Sequence, residues 1–115
     1  MSSTSPLTTH VLDTARGCPA ANLAVTLFQQ IEGDWQQRAT GITDSDGRIG
    51  DLLEPNNLSS GTYRLTFATG AYFAAQSVTG FYPAVSIDFE VRNPEQHYHV
   101  PLLLSPYGYS TYRGS

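Results

Sequence analysis

Regular alternation of apolar and polar side chains along short segments most limits what this chain can fold into. In the segment from Val85 to Val91, every second residue is large and apolar, and the residues between are polar or acidic. Side chains of a β-strand point to opposite faces in turn, so this period of two indicates strands with one buried face. Gly, Pro, Asn and Asp separate the segments as turn residues. The predicted strands are residues 7–14, 23–29, 35–43, 48–52, 62–68, 85–91, 97–104 and 107–113.

One segment does not alternate and is the only candidate helix. Residues 69–78 are long enough for about two to three helical turns. Eight closely spaced strands with one short helix favour an all-β sandwich of two sheets. A chain of 115 residues suits one compact core, so residues 1–115 are predicted to form a single domain.

The charge composition disfavours two classes of partner. The net charge is −4, and all six basic residues are arginines. Nucleic-acid binding needs a basic patch to neutralise phosphates, and anionic membranes attract basic surfaces, so neither partner is expected. Charged residues make up only 14% of the chain, and such depletion is typical of surfaces that other subunits cover.

The cysteine count and the N-terminal residues bear on the compartment. Cys18 is the only cysteine, so no internal disulfide can form, and it is interpreted as a small, half-buried residue beside a turn. No run reaches the roughly 18 apolar residues of a membrane span. The first ten residues lack the basic and apolar regions of a secretion signal, so a cytoplasmic location is expected.

Histidines occur on predicted strand faces that also hold apolar residues. In the strand 97–104, Tyr98 and every second residue after it form an apolar face, which is assigned to the core. His97 and His99 share the opposite, mixed face, and His10 has a similar setting on the first strand. Such a mixed face suits a subunit contact or a cleft. A single histidine there is most commonly a hydrogen-bonded structural residue, and metal binding is the alternative. Glu95 has the matching spacing but follows Pro94 in a turn, so a metal site is not predicted.

Arginine and serine candidates each have an ordinary structural explanation as well. Arg48 follows the Asp46-Gly47 turn and is either a solvated hairpin residue or a partner for an anion. Ser105 or Ser110 could be imagined as a nucleophile, but the chain lacks the Gly-x-Ser-x-Gly elbow. Ser115 could simply be a frayed end.

Several of these residues lie in motifs that resemble a known family. Residues 7–13 (LTTHVLD), the D-x-D-G-R turn of residues 44–48 and the segment 97–115, which ends in Tyr-Arg-Gly-Ser, resemble the 5-hydroxyisourate hydrolases, transthyretin-related enzymes of purine catabolism. The similarity covers nearly the whole chain. The thyroxine carriers related to these enzymes lack this combination of histidines, arginine and terminal tetrapeptide, so the resemblance favours the enzyme.

The resemblance implies a transthyretin-like sandwich that assembles as a homotetramer, with active sites in a central channel. It implies hydrolysis of 5-hydroxyisourate to 2-oxo-4-hydroxy-4-carboxy-5-ureidoimidazoline, with no metal and no organic cofactor. Catalytic roles are implied for His10, Arg48 and His99, and His99 is chosen over His97, which is expected at the start of the strand and outside the pocket. The implied substrate-binding residues are Tyr112, Arg113, Gly114 and Ser115.

Two other functions stay open at this point. A transthyretin-like carrier would bind a small aromatic ligand in the channel without turning it over. A purely structural sandwich would have neither activity nor a defined pocket.

Overall fold

This computed structural model describes residues 5–115, which contain nine strands and one short helix joined by turns and loops. The strands are β1 (Leu7–Asp13), β2 (Cys18–Pro19), β3 (Ala24–Ile31), β4 (Asp34–Ile42), β5 (Arg48–Ile49), β6 (Gly61–Phe67), β7 (Val85–Val91), β8 (Tyr98–Ser105) and β9 (Gly108–Thr111); the helix α1 is Thr69–Ala74.

The strands form two sheets, as the sandwich prediction requires. Sheet A has the order β2-β1-β8-β9, and β5 pairs with the same edge of β1 as β2 does. Sheet B has the order β4-β3-β6-β7. Neighbouring strands are antiparallel except β1 and β8, which run parallel with Leu7 opposite Tyr98 and Asp13 opposite Leu104. This parallel pair places β1, the first strand in the sequence, beside β8, the last but one, in the middle of sheet A.

The predicted inward faces form the core between the sheets. Every second residue of β1 and of β8 is buried, beginning with Leu7 and Tyr98. The same alternation buries Tyr63, Leu65 and Phe67 of β6. Full burial of one large aliphatic side chain contributes about 1.5–3 kcal/mol, so this continuous cluster is a major source of stability. The side chains left on the outer faces are free for other roles.

The helix is shorter than predicted and ends at Ala74 instead of residue 78. Ser77 adopts a left-handed backbone conformation with φ of 58°. The Val78 amide then donates to the Phe73 carbonyl at 2.9 Å, a wrap that closes the helix end. Glycine usually occupies such a position, so a serine there gave no stop signal in the sequence.

Other boundaries also differ because short strands leave little alternation to detect. The two-residue strand β2 was not predicted, and the strand expected over residues 48–52 is limited to β5. Leu52 and Leu53 are both buried although they are neighbours, which a strand with one buried face would not allow. The last strand ends at Thr111 instead of residue 113. Within residues 5–115, no helix has the length and apolar character needed to cross a membrane.

Candidate active site

The outer face of sheet A brings together four polar side chains from three strands. Thr8 and His10 both point outward from β1, because the residues between and beside them are buried. On one side of β1, Thr8 lies opposite His99 of β8. On the other side, His10 lies opposite Arg48 of β5. These pairings join segments that are far apart in the sequence into one surface.

A tight turn fixes Arg48 beside His10. The Asp44 carboxylate accepts hydrogen bonds from the amides of Asp46 and Arg48, at 2.9 and 3.0 Å. Gly47 has φ of +75°, and a Cβ built there would overlap the Val11 carbonyl oxygen, so the turn requires glycine. The Val11 amide donates to the Gly47 carbonyl at 2.8 Å, which ties the turn to β1. The D-x-D-G-R motif thus acts as a positioning device for the arginine.

The His99 ring is held on two sides. Its Nδ1 lies 2.8 Å from Thr8 Oγ1. On the opposite side, Gly114 forms a backbone bridge with His99, and a Cβ at Gly114 would overlap the ring atom Cδ2. Nε2 therefore remains as the ring nitrogen without a hydrogen bond among residues 5–115 and is free to exchange a proton with a bound molecule.

These residues line an open pocket of about 270 Å³. Its walls include Thr8 and His99, the exposed Arg48 and His97, and Ser115 of the C-terminal segment. His10 does not line this pocket in the single chain, but its charge acts on His99. By contrast, the cavity of about 390 Å³ beside α1 is lined mainly by small residues and has no histidine.

Burial and neighbouring positive charge keep His99 neutral. Partial burial is the larger cause of a lowered pKa for His99, and Arg48, His10 and His97 lower this pKa further. A hydrogen-bond contribution from the Thr8 backbone works in the opposite direction. A pKa below the usual 6.5 leaves an unprotonated imidazole near neutral pH, which is the form that can accept a proton.

Within residues 5–115, no carboxylate lies within salt-bridge distance of Arg48. Among the residues that the structure describes, its guanidinium makes neither a salt bridge nor a hydrogen bond. The same residues include no cluster of three or more His, Cys, Asp or Glu side chains arranged to hold a metal ion. The site therefore presents an unpaired cation next to a neutral base.

The structure revises one expectation about the histidines. The sequence predicts His97 to be the first residue of the strand 97–104 and to lie outside the pocket; instead it lies just before β8 and lines the pocket. Its Nε2 lies 3.0 Å from the same Thr8 oxygen that contacts His99. The parallel pairing of β1 with β8 causes this, because it sets Thr8 beside the start of β8. Sequence reasoning missed Thr8; its only signal was a hydroxyl two residues before His10 on the same strand face.

The residues of the C-terminal tetrapeptide separate into two groups. Ser115 and Gly114 lie at the pocket and against His99. The Arg113 guanidinium instead lies 4.5 Å over the Tyr98 ring and donates to the His97 carbonyl at 3.4 Å. Tyr112 is exposed and lines a second groove of about 250 Å³ beside β7, which His99 also lines. In a single chain, Tyr112 and Arg113 are therefore not part of the pocket that contains Arg48.

Comparison with known proteins gives consistent matches over nearly the whole chain. The family described as HIUase/Transthyretin matches residues 7–114. 5-Hydroxyisourate hydrolase 2 of Rhizobium meliloti is 48% identical over 121 aligned positions, which cover 100% of both chains. The solved structure of Klebsiella pneumoniae 5-hydroxyisourate hydrolase is similar with a TM-score of 0.83 and 39% identity, covering 98% of this chain and 100% of that one.

A carrier is also among the structural neighbours. Sea bream transthyretin in complex with thyroxine superimposes with a TM-score of 0.90 and 37% identity, covering 96% of this chain and 95% of that one. Enzyme and carrier thus share this sandwich, and the fold alone does not separate them. The motifs, the two-sheet topology and the family match agree, and the chain belongs to the HIUase/Transthyretin family.

Proposed function

We propose that this protein is a hydrolase that opens 5-hydroxyisourate at a cyclic amide C–N bond. The observation that supports this most is the placement of the neutral His99 beside the unpaired Arg48 in one open pocket. Relatives named 5-hydroxyisourate hydrolase match at 48% identity in Rhizobium meliloti and 46% in Mus musculus.

The reaction needs one proton acceptor, one charge stabiliser and one proton donor. His99 accepts a proton from water at Nε2, and the resulting hydroxide adds to the amide carbonyl carbon. Arg48 stabilises the negative charge that develops on the carbonyl oxygen. As the C–N bond breaks, the proton held by His99 goes to the leaving nitrogen. His10 lies opposite Arg48 and can assist either proton transfer.

Distinct roles follow for the C-terminal tetrapeptide. Ser115 lines the pocket and can hydrogen-bond to the substrate, while Gly114 leaves room for the His99 ring. Arg113 donates a hydrogen bond to the carbonyl of His97, which lines the pocket, and so helps to hold that residue in place. Tyr112 is exposed in the single chain and lines the neighbouring groove that shares His99 with this pocket.

We also propose a homotetramer with its sites between subunits. The pocket is open, and Arg48, His97 and Ser115 are exposed, so a second copy of sheet A could close it. Closure would exclude bulk water, while leaving the reacting water in place, and would strengthen the electrostatic interaction of Arg48 with the substrate. Light scattering at micromolar concentration should give about four times 12.5 kDa, and a stable monomer would contradict the assembly.

The proposed chemistry uses only side chains, so activity should not depend on metal. Overnight treatment with a chelator should leave the rate unchanged. Loss of activity that zinc restores would overturn this expectation. The cytoplasmic location expected from the sequence stays a prediction.

The decisive experiment separates an enzyme from a carrier. Freshly generated 5-hydroxyisourate is mixed with the protein, and the decay of its ultraviolet absorbance is compared with the spontaneous decay. We expect acceleration in proportion to enzyme concentration with repeated turnover. A carrier would bind the compound without accelerating its decay, and a structural sandwich would do neither.

A further inference from the structure

We propose that Thr8 is a positioning residue for His99. The Thr8 hydroxyl group contacts both His97 and His99. This contact keeps a proton on Nδ1 of His99 and directs the lone pair of Nε2 toward the pocket. This inference rests on the proposed hydrolase function, in which His99 is the base.

The number of hydrogen bonds that the Thr8 hydroxyl can donate and accept links it to the protonation of His97 and His99. Thr8 Oγ1 lies 2.8 Å from His99 Nδ1 and 3.0 Å from His97 Nε2. A hydroxyl has one proton to donate and two lone pairs to accept with. It therefore cannot donate to both rings, and at least one of the two facing nitrogens must carry a proton. The tautomers of His97 and His99 are consequently linked through Thr8.

Exposure decides which ring carries that proton. His97 is exposed, so water can serve either of its nitrogens, whereas His99 is partly buried with its other edge against Gly114. The shorter of the two contacts is the one to His99. We assign the Nδ1 proton to His99, which donates to Thr8 Oγ1, while the Thr8 hydroxyl donates to Nε2 of His97.

This arrangement serves the reaction directly. A catalytic base works best when a third group fixes its orientation and tautomer. With Nδ1 protonated, Nε2 of His99 is the proton acceptor; with the opposite tautomer, Nε2 would already carry a proton and could not accept one from water. The charged and titratable groups that act on His99 are Arg48 of β5, His10 of β1 and His97, and each favours the neutral ring.

The test compares Thr8→Val, which removes the hydroxyl at nearly constant shape, with Thr8→Ser, which keeps it. Thr66→Val is the matched control, because the Thr66 hydroxyl makes a similar contact at 3.0 Å to Ser86 on the outer face of sheet B. Nitrogen-15 NMR of the imidazoles, recorded without substrate, reports the tautomer and the pKa of His99 in each protein.

We expect His99 in the wild type, Thr8→Ser and Thr66→Val to be mainly protonated at Nδ1 when neutral. In Thr8→Val, the Nδ1-protonated fraction should fall, and kcat/KM should decrease about 10- to 100-fold with the change mainly in kcat, which is less than the loss of a full acid–base group. The acid limb of the pH–rate profile should move with the His99 pKa in the same variant.

Several results would overturn the assignment. A wild-type His99 protonated mainly at Nε2 contradicts it before any variant is made, so it stays testable even if Thr8→Val does not fold. An unchanged tautomer in Thr8→Val, or a changed tautomer with unchanged turnover, also contradicts it. Failure of the hydrolase function has a different signature, because then even the wild type would not accelerate 5-hydroxyisourate decay, whatever the NMR shows.

Discussion

The outer faces of the two sheets differ in whether an arginine side chain forms an ion pair with a carboxylate. On sheet B, Arg64 lies opposite Asp88 in register, with Nε–Oδ1 and Nη2–Oδ2 distances of 2.6 and 3.0 Å, and its guanidinium lies 4.1 Å from the Trp35 ring centroid. On sheet A, Arg48 lines the same pocket as His97 and His99, and no carboxylate of residues 5–115 forms a salt bridge with it.

The shifts in pKa follow the same division. The hydrogen bonds that Arg64 donates to Asp88 lower the pKa of Asp88 and raise the pKa of Arg64. Both groups are therefore held in their charged forms. Burial and like charges lower the pKa of His99 and hold it neutral. One face therefore neutralises its charges internally, while the other retains a base and a cation that can act on a bound molecule.

The largest expected difference between the faces is in turnover. Arg48→Ala should lower the rate of 5-hydroxyisourate hydrolysis about 10²–10³-fold, as removal of a group that stabilises developing charge does. His10→Ala should lower it by up to about 10²-fold, the lower range for acid–base groups. Arg64→Ala is the matched control on sheet B and should retain wild-type turnover. Steady-state rates of the purified variants, with assembly checked by size, test this; equal losses in Arg48→Ala and Arg64→Ala would contradict the division.

A smaller effect is expected from the glycine that touches His99. Gly114→Ala places a Cβ where it overlaps the ring atom Cδ2, so the ring must rotate or shift, and turnover should fall about 10-fold. Gly108→Ala is the control, because the nearest atom to its Cβ, Ser105 Oγ, is 3.7 Å away. Kinetic measurement of both variants should show a loss only in the first. A normal rate for Gly114→Ala would mean that the close approach does not set the ring position.

The smallest effect concerns stability against pH. His99 has a lowered pKa in the folded chain, so the unfolded chain binds a proton more readily, and the free energy of unfolding should fall as pH falls below 6.5 until it passes the folded pKa. Asp88 also has a lowered pKa in the folded chain. Its stabilising contribution to the free energy of unfolding is therefore present above pH 3.8 and is lost as the pH falls through the folded pKa.

Urea unfolding at a fixed protein concentration can separate these two ranges. His99→Gln should remove the dependence that begins near pH 6.5 and leave the acid range unchanged. Asp88→Asn should remove the pH dependence of the free energy of unfolding below pH 3.8 and leave the dependence that begins near pH 6.5 unchanged. A His99→Gln profile identical to the wild type would show that His99 keeps its ordinary pKa in the folded protein.

The sequence predicted the sheets and the inward faces because local alternation encodes them. It identified Arg48 because the Asp44 carboxylate and Gly47 form a turn that neighbouring residues dictate. It did not predict the parallel pairing of β1 with β8, which depends on residues about 90 positions apart. The contact of Thr8 with both histidines follows from that pairing alone, so local pattern could not reveal it. The roles of His10, Arg48, His99 and the C-terminal residues stay predictions.

The most direct test of the central claim is the 5-hydroxyisourate hydrolysis rate of His99→Ala beside His97→Ala, each confirmed as folded and assembled. If His99 is the base on the unpaired face of sheet A, its removal should lower turnover about 10²–10⁴-fold, and removal of the exposed His97 should cost much less. A crippled His97→Ala with a near-normal His99→Ala would contradict the assignment of the base, and full activity in both would contradict a histidine-dependent hydrolase at this site.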